Sequence, residues 1–117
     1  MNTTLSLLVL RAQNPEVTRD FYSALGLTFE QEQHGSGPLH YAAQSENFVL
    51  EIYPLASGQT EITDSVQLGF QVKSLEKTVK TLGTAERIKT TGQWGPFCVL
   101  QDPDGRKVRL TETPTKS

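Results

Sequence analysis

A single cysteine in 117 residues rules out an internal disulfide, and Cys98 therefore suits a reducing compartment or simple burial. Excess positive charge is also missing. Lys and Arg number 11 against 13 Asp and Glu, which leaves a net charge of -2 and a pI near 5.6, so a basic footprint for nucleic acid or an acidic membrane is not expected. No apolar run approaches the roughly 20 residues that span a bilayer as a helix. The opening Met1-Asn2-Thr3-Thr4 lacks the basic and apolar regions of a secretion signal. These absences lead us to expect a soluble, cytoplasmic protein. The length suits one domain over 1–117, too short for two independent cores.

What the chain does contain is a pattern written twice. Leu5-Ser6-Leu7-Leu8-Val9-Leu10-Arg11 is followed by a helical segment, Glu16 to Leu25, ending at Gly26. Val66-Gln67-Leu68-Gly69-Phe70-Gln71-Val72 is followed by another, Ser74 to Leu82, ending at Gly83. Placing Leu7 over Gln67 aligns the two halves at an offset of 60 residues. Asn14-Pro15 and Ser74 supply the N-terminal caps, with Val17, Phe21, Ala24 and Leu25 at helical spacing in the first helix. Strands are expected over Leu27 to Gln33, Leu39 to Gln44 and Phe48 to Tyr53. In the second half they are expected near Ala85 to Lys89, Phe97 to Gln101 and Lys107 to Thr111. Asp102-Pro103-Asp104-Gly105 reads as the turn before the last strand. Each half is then βαβββ, module 1 over about 5–54 and module 2 over about 65–112, with a polar linker over about 55–64.

Alternation separates two faces, because neighbouring strand residues point to opposite sides of a sheet. Leu8, Leu10, Phe48, Leu50, Ile52, Leu68, Phe70, Val72, Val108 and Leu110 form an apolar face for the helices to cover. The other face is mixed: Leu7, Val9 and Arg11; Val49, Glu51 and Tyr53; Gln67, Gly69 and Gln71; Lys107, Arg109 and Thr111. A surface of that kind suits a partly wet, ligand-sized cavity between two sheets.

Arg11, Phe21-Tyr22, Ala24-Leu25-Gly26-Leu27, Val49-Leu50-Glu51-Ile52-Tyr53, Trp94-Gly95 and Asp102-Pro103-Asp104-Gly105, in this order and spacing, resemble the vicinal oxygen chelate superfamily. That group includes glyoxalase I, fosfomycin-resistance enzymes, extradiol dioxygenases and bleomycin-resistance proteins. The resemblance spans Leu5 to Glu112 and implies an α+β fold of two tandem βαβββ modules around a central cavity, commonly as a homodimer. Its metalloenzymes place ligands at positions that read here Leu7, Glu51, Gln67 and Arg109. Leu7 has no donor atom and Arg109 is a permanent cation, so no metal and no other cofactor is expected at these positions.

The function expected from this pattern is metal-independent binding of a small organic ligand, with Glu51, Tyr53, Gln67, Trp94, Phe97 and Arg109 as contacts. Glu51 favours a cationic group and Arg109 an anionic one. The alternative is glyoxalase-type lyase or isomerase chemistry with Glu51 as general base, with or without a divalent metal. A fold retained only for protein association is a third reading. Glu51 and Arg109 occupy equivalent positions of the two modules, where they either pair directly or are solvated separately. His40 and Tyr41 are strand neighbours, so only one faces the cavity, and both His40 and His34 read as structural histidines. Cys98 reads as packing, and Glu76, Lys77 and Lys80 as a solvated helix face.

Overall fold

A computed structural model describes residues 3–84, 88–89 and 95–113. The chain divides into two compact units, 1–63 and 64–117, and each is described by itself. The fold is α+β, and each unit contains one mixed sheet and one helix among the described residues.

In the first unit the elements are β1 (Leu7–Ala12), α1 (Pro15–Ser23), β2 (Phe29–Glu32), β3 (His40–Gln44) and β4 (Val49–Pro54). The sheet order is β1-β4-β3-β2, with β1 parallel to β4 and the other pairs antiparallel. Asn14 caps α1 by accepting a hydrogen bond from the Val17 amide at 3.2 Å, and Pro15 fills the first helical position, whose amide needs no partner. The helix ends sooner than its apolar spacing suggests. Ala24 is the C-cap, and bonds from Leu25 N to Tyr22 O and from Gly26 N to Ser23 O tighten the exit into a 3₁₀ turn. Gly26 then takes a φ of 112°, a conformation open to glycine.

The core side of this helix is also turned by one position from the expected stripe. Thr18 and Tyr22 are fully buried, whereas Val17 is 47% exposed. Burying the ring of Tyr22, packed edge-to-face on Phe21 at 5.0 Å, removes more apolar area from water than burying Val17 would. Leu10, Ala12, Tyr41, Ala43, Leu50 and Ile52 complete the buried face of the sheet.

The second unit has β5 (Gln67–Val72), α2 (Leu75–Leu82), β6 (Phe97–Gln101) and β7 (Lys107–Glu112), in the sheet order β5-β7-β6. The strand expected near Ala85 to Lys89 is represented by one antiparallel bridge, Lys89 to Phe97; residues 85–87 lie outside the described residues. Ser74 caps α2 through the Lys77 amide at 3.2 Å, the Glu112 carboxylate accepts from the Leu75 amide at 3.0 Å, and Gly83 closes the helix in the left-handed conformation. Leu68, Val72, Leu75, Cys98, Leu100, Val108 and Leu110 are buried, so Cys98 packs in the apolar layer as expected.

The turn between β6 and β7 is held by a buried ion pair. Asp102 Oδ2 lies 3.0 Å from the Arg106 guanidinium, and Oδ1 accepts from the amides of Asp104 and Arg106. Arg106 is fully buried, as are Val108 and Leu110. Its charge is tolerated there because Asp102, and Asp104 at 3.5 Å, neutralise it.

Candidate functional site

Strand register arranges the mixed face of the first sheet in rows. Leu7 pairs with Val49, and Val49 with Gln44. Next come Val9, Glu51, Ala42 and Glu30. The third row begins with Arg11 and Tyr53 and ends with His40 and Glu32. The alternation inferred for Leu7, Val9, Arg11, Val49, Glu51 and Tyr53 therefore holds, and His40 rather than Tyr41 joins them. Tyr41 points to the helix side, where its hydroxyl reaches Glu16 at 3.3 Å and the Arg19 guanidinium lies over its ring.

On this face a cavity of about 470 Å³ is lined by Thr28, Glu30, Glu32, Ala42, Gln44, Val49 and Glu51. Three of the seven lining side chains are carboxylates and none is basic. Without a counter-ion the carboxylates raise one another's energy, so the cavity's field favours a cation. Beside it the third row forms a continuous stack. The Arg11 guanidinium sits 4.7 Å from the centre of the Tyr53 ring, and the Tyr53 and His40 rings are parallel within 7° at 4.1 Å. Arg11 also donates to the Pro54 carbonyl at 3.1 Å, which fixes it against the strand end.

His40 is buried, as a structural histidine would be, but it is not satisfied. Its Nδ1 meets the Pro38 carbonyl at 3.2 Å, whereas Nε2 has no hydrogen-bond partner among the described residues. That nitrogen lies 3.3 Å from Glu32 and 3.6 Å from Glu51. His34, expected like His40 to be a structural histidine, brings its Nε2 to 3.7 Å from the same Glu32 oxygen and its ring to 5.1 Å from that of His40. Glu30 and Glu32 were not singled out from sequence. The alternation of β2 and its distance from Glu51 in register were the available signals, and they needed the strand pairing to be read.

In the second unit the equivalent face has rows Gln67 and Lys107, Gly69 and Arg109, and Gln71 and Thr111. Val9 beside Glu51 and Gly69 beside Arg109 are thus corresponding pairs. The Arg109 guanidinium lies 4.1 Å from the centre of the Phe97 ring, so these two predicted contacts hold each other, and Gln67 is exposed. Trp94 lies outside the described residues. Glu51 and Arg109 belong to different units. Of the positions Leu7, Glu51, Gln67 and Arg109, Leu7 carries no donor atom and Arg109 a permanent positive charge.

No protein-family model matches the chain, and no curated protein matches it by sequence. Solved structures do. An antibiotic-binding protein of Streptomyces sp. CB03234, TnmS3, is 16% identical, with 96% of this chain and 97% of that one covered at a TM-score of 0.71. A glyoxalase/dioxygenase of Nostoc punctiforme is 18% identical, covering 96% and 92% at a TM-score of 0.71. A glyoxalase/bleomycin resistance protein of Albidiferax ferrireducens T118 is 21% identical, covering 93% and 98% at a TM-score of 0.64. At these identities the likeness establishes the fold.

Proposed function

We propose that this chain, which has the fold of the glyoxalase and bleomycin-resistance proteins, sequesters a small organic cation on the mixed face of its first sheet, without a metal at Leu7, Glu51, Gln67 and Arg109. The observation that carries this reading is the acidic cavity: Glu30, Glu32 and Glu51 line about 470 Å³, a volume in the range of small-molecule sites. The adjacent stack of Arg11, Tyr53 and His40 braces the wall beside that cavity, the ring faces of Tyr53 being covered by its two neighbours. That a structure of similar fold is described as an antibiotic-binding protein supports a binding role. The reading rests on the first unit alone; Gln67, Trp94, Phe97 and Arg109 remain proposed contacts.

The test is calorimetric titration with a series of flat organic cations and their neutral and anionic isosteres. Cations are expected to bind and anions not. Glu51→Gln is expected to weaken the best cation by about tenfold, the effect of roughly 1.4 kcal/mol from one charge-assisted contact. Equal affinity for the neutral isosteres, or no change in Glu51→Gln, would overturn the reading.

A further inference from the structure

His40 is held in a way that its protein neighbours do not satisfy. A carbonyl oxygen only accepts, so the 3.2 Å contact with Pro38 places a ring hydrogen on Nδ1. In the neutral ring Nε2 is then a bare lone pair. It faces two carboxylate oxygens, Glu32 Oε1 at 3.3 Å and Glu51 Oε2 at 3.6 Å, that also carry only lone pairs. The nitrogen is buried, its side chain 1% exposed, and makes no hydrogen bond to either oxygen. Lone pairs converging on one point are what a metal cation neutralises.

The surroundings match that function. The ligand atoms of Glu32, His34 and His40 lie within 4.8 Å of one another. The Glu32 oxygen is 3.3 Å from one imidazole nitrogen and 3.7 Å from the other. Tetrahedral zinc, with ligand bonds of about 2.0–2.1 Å, sets neighbouring donors about 3.3–3.4 Å apart. The Nδ1 contact to a backbone carbonyl is the outer support that metal-binding histidines use to fix ring orientation. Stacking on Tyr53 restrains the same ring from its face. The turn after β2 returns through Gly37, whose amide donates to the His34 carbonyl at 3.0 Å, and so keeps His34 beside the end of the strand.

We propose that Glu32, His34 and His40 form a site for one divalent transition-metal ion, of the zinc or cobalt type, with a fourth position open beside Glu51. Two imidazoles and a carboxylate select such ions over magnesium or calcium, which prefer all-oxygen shells. The site lies on β2, β3 and the turn between them, and takes none of its three ligands from Leu7, Glu51, Gln67 or Arg109. It goes beyond the binding reading and does not depend on it.

Tag-free full-length protein is titrated with Co²⁺ alone and followed by visible absorption, then with Zn²⁺ as competitor. One equivalent of Co²⁺ is expected to give intense tetrahedral-type bands that Zn²⁺ abolishes. His40→Ala and His34→Ala are each expected to weaken binding at least tenfold. His34, its side chain 73% exposed, serves as the variant that keeps its fold. Glu46→Gln, an exposed carboxylate on another loop, is expected to bind as the parent does. A spectrum equal to that of the hydrated ion, or equal affinity in His34→Ala, overturns the proposal. Loss of metal binding with intact binding of organic cations would sink this inference alone, and the reverse result would sink only the binding reading.

Discussion

Thr18 Oγ1 is buried in α1 and has no hydrogen-bond partner among the described residues. An unsatisfied buried hydroxyl costs about 1–3 kcal/mol, and valine has the same shape without it. Thr18→Val is therefore expected to raise unfolding stability by about 1 kcal/mol in urea titration; an unchanged midpoint would mean that the hydroxyl has a partner. The buried pair Asp102–Arg106 works in the opposite sense. Removing one member leaves the other charge buried without its nearest counter-ion, so Arg106→Ala is expected to cost about 3–5 kcal/mol in the same measurement. At this scale the sequence was only partly legible. Alternation separated His40 from Tyr41 but gave no sign of which faces the cavity. The pairing of Tyr41 with Ile52 settles it, because Ile52 lies on the helix-covered side.

The helices are set by their ends more than by their stripes. Asn14 and Ser74 each satisfy an amide that the helix cannot, and Asn14→Ala or Ser74→Ala is expected to lower stability by about 1 kcal/mol, read as a shift in the thermal midpoint. Both caps, the proline after Asn14 and the left-handed Gly83 were readable because capping is decided within a few neighbouring residues. The rotation of α1 that buries Thr18 and Tyr22 was not. A short helix with few apolar residues leaves its facing angle to whatever the sheet offers, and here the sheet accepts the Tyr22 ring. The succession of strand and helix in each unit followed from the repeat; of the strand expected near Ala85 to Lys89, the described residues show the bridge from Lys89 to Phe97.

For the molecule as a whole, Leu5, Leu7 and Val9 leave apolar surface on and before edge strand β1, at 66, 50 and 40% exposure. We propose that a second copy covers surface of this kind. Light scattering at micromolar concentration is expected to give about twice the 13.0 kDa chain mass, and Val9→Lys to shift it toward the monomer. A parent protein of single-chain mass would refute the dimer. The repeat, the two faces of each sheet and the caps were determined by the sequence itself, since each depends on spacings of two to four residues that a chain carries with it. The acidic cavity and the convergence of Glu32, His34, His40 and Glu51 were decided only in the folded chain. Glu51 reaches His40 from another strand, and the register that brings them together is chosen by burying the opposite face.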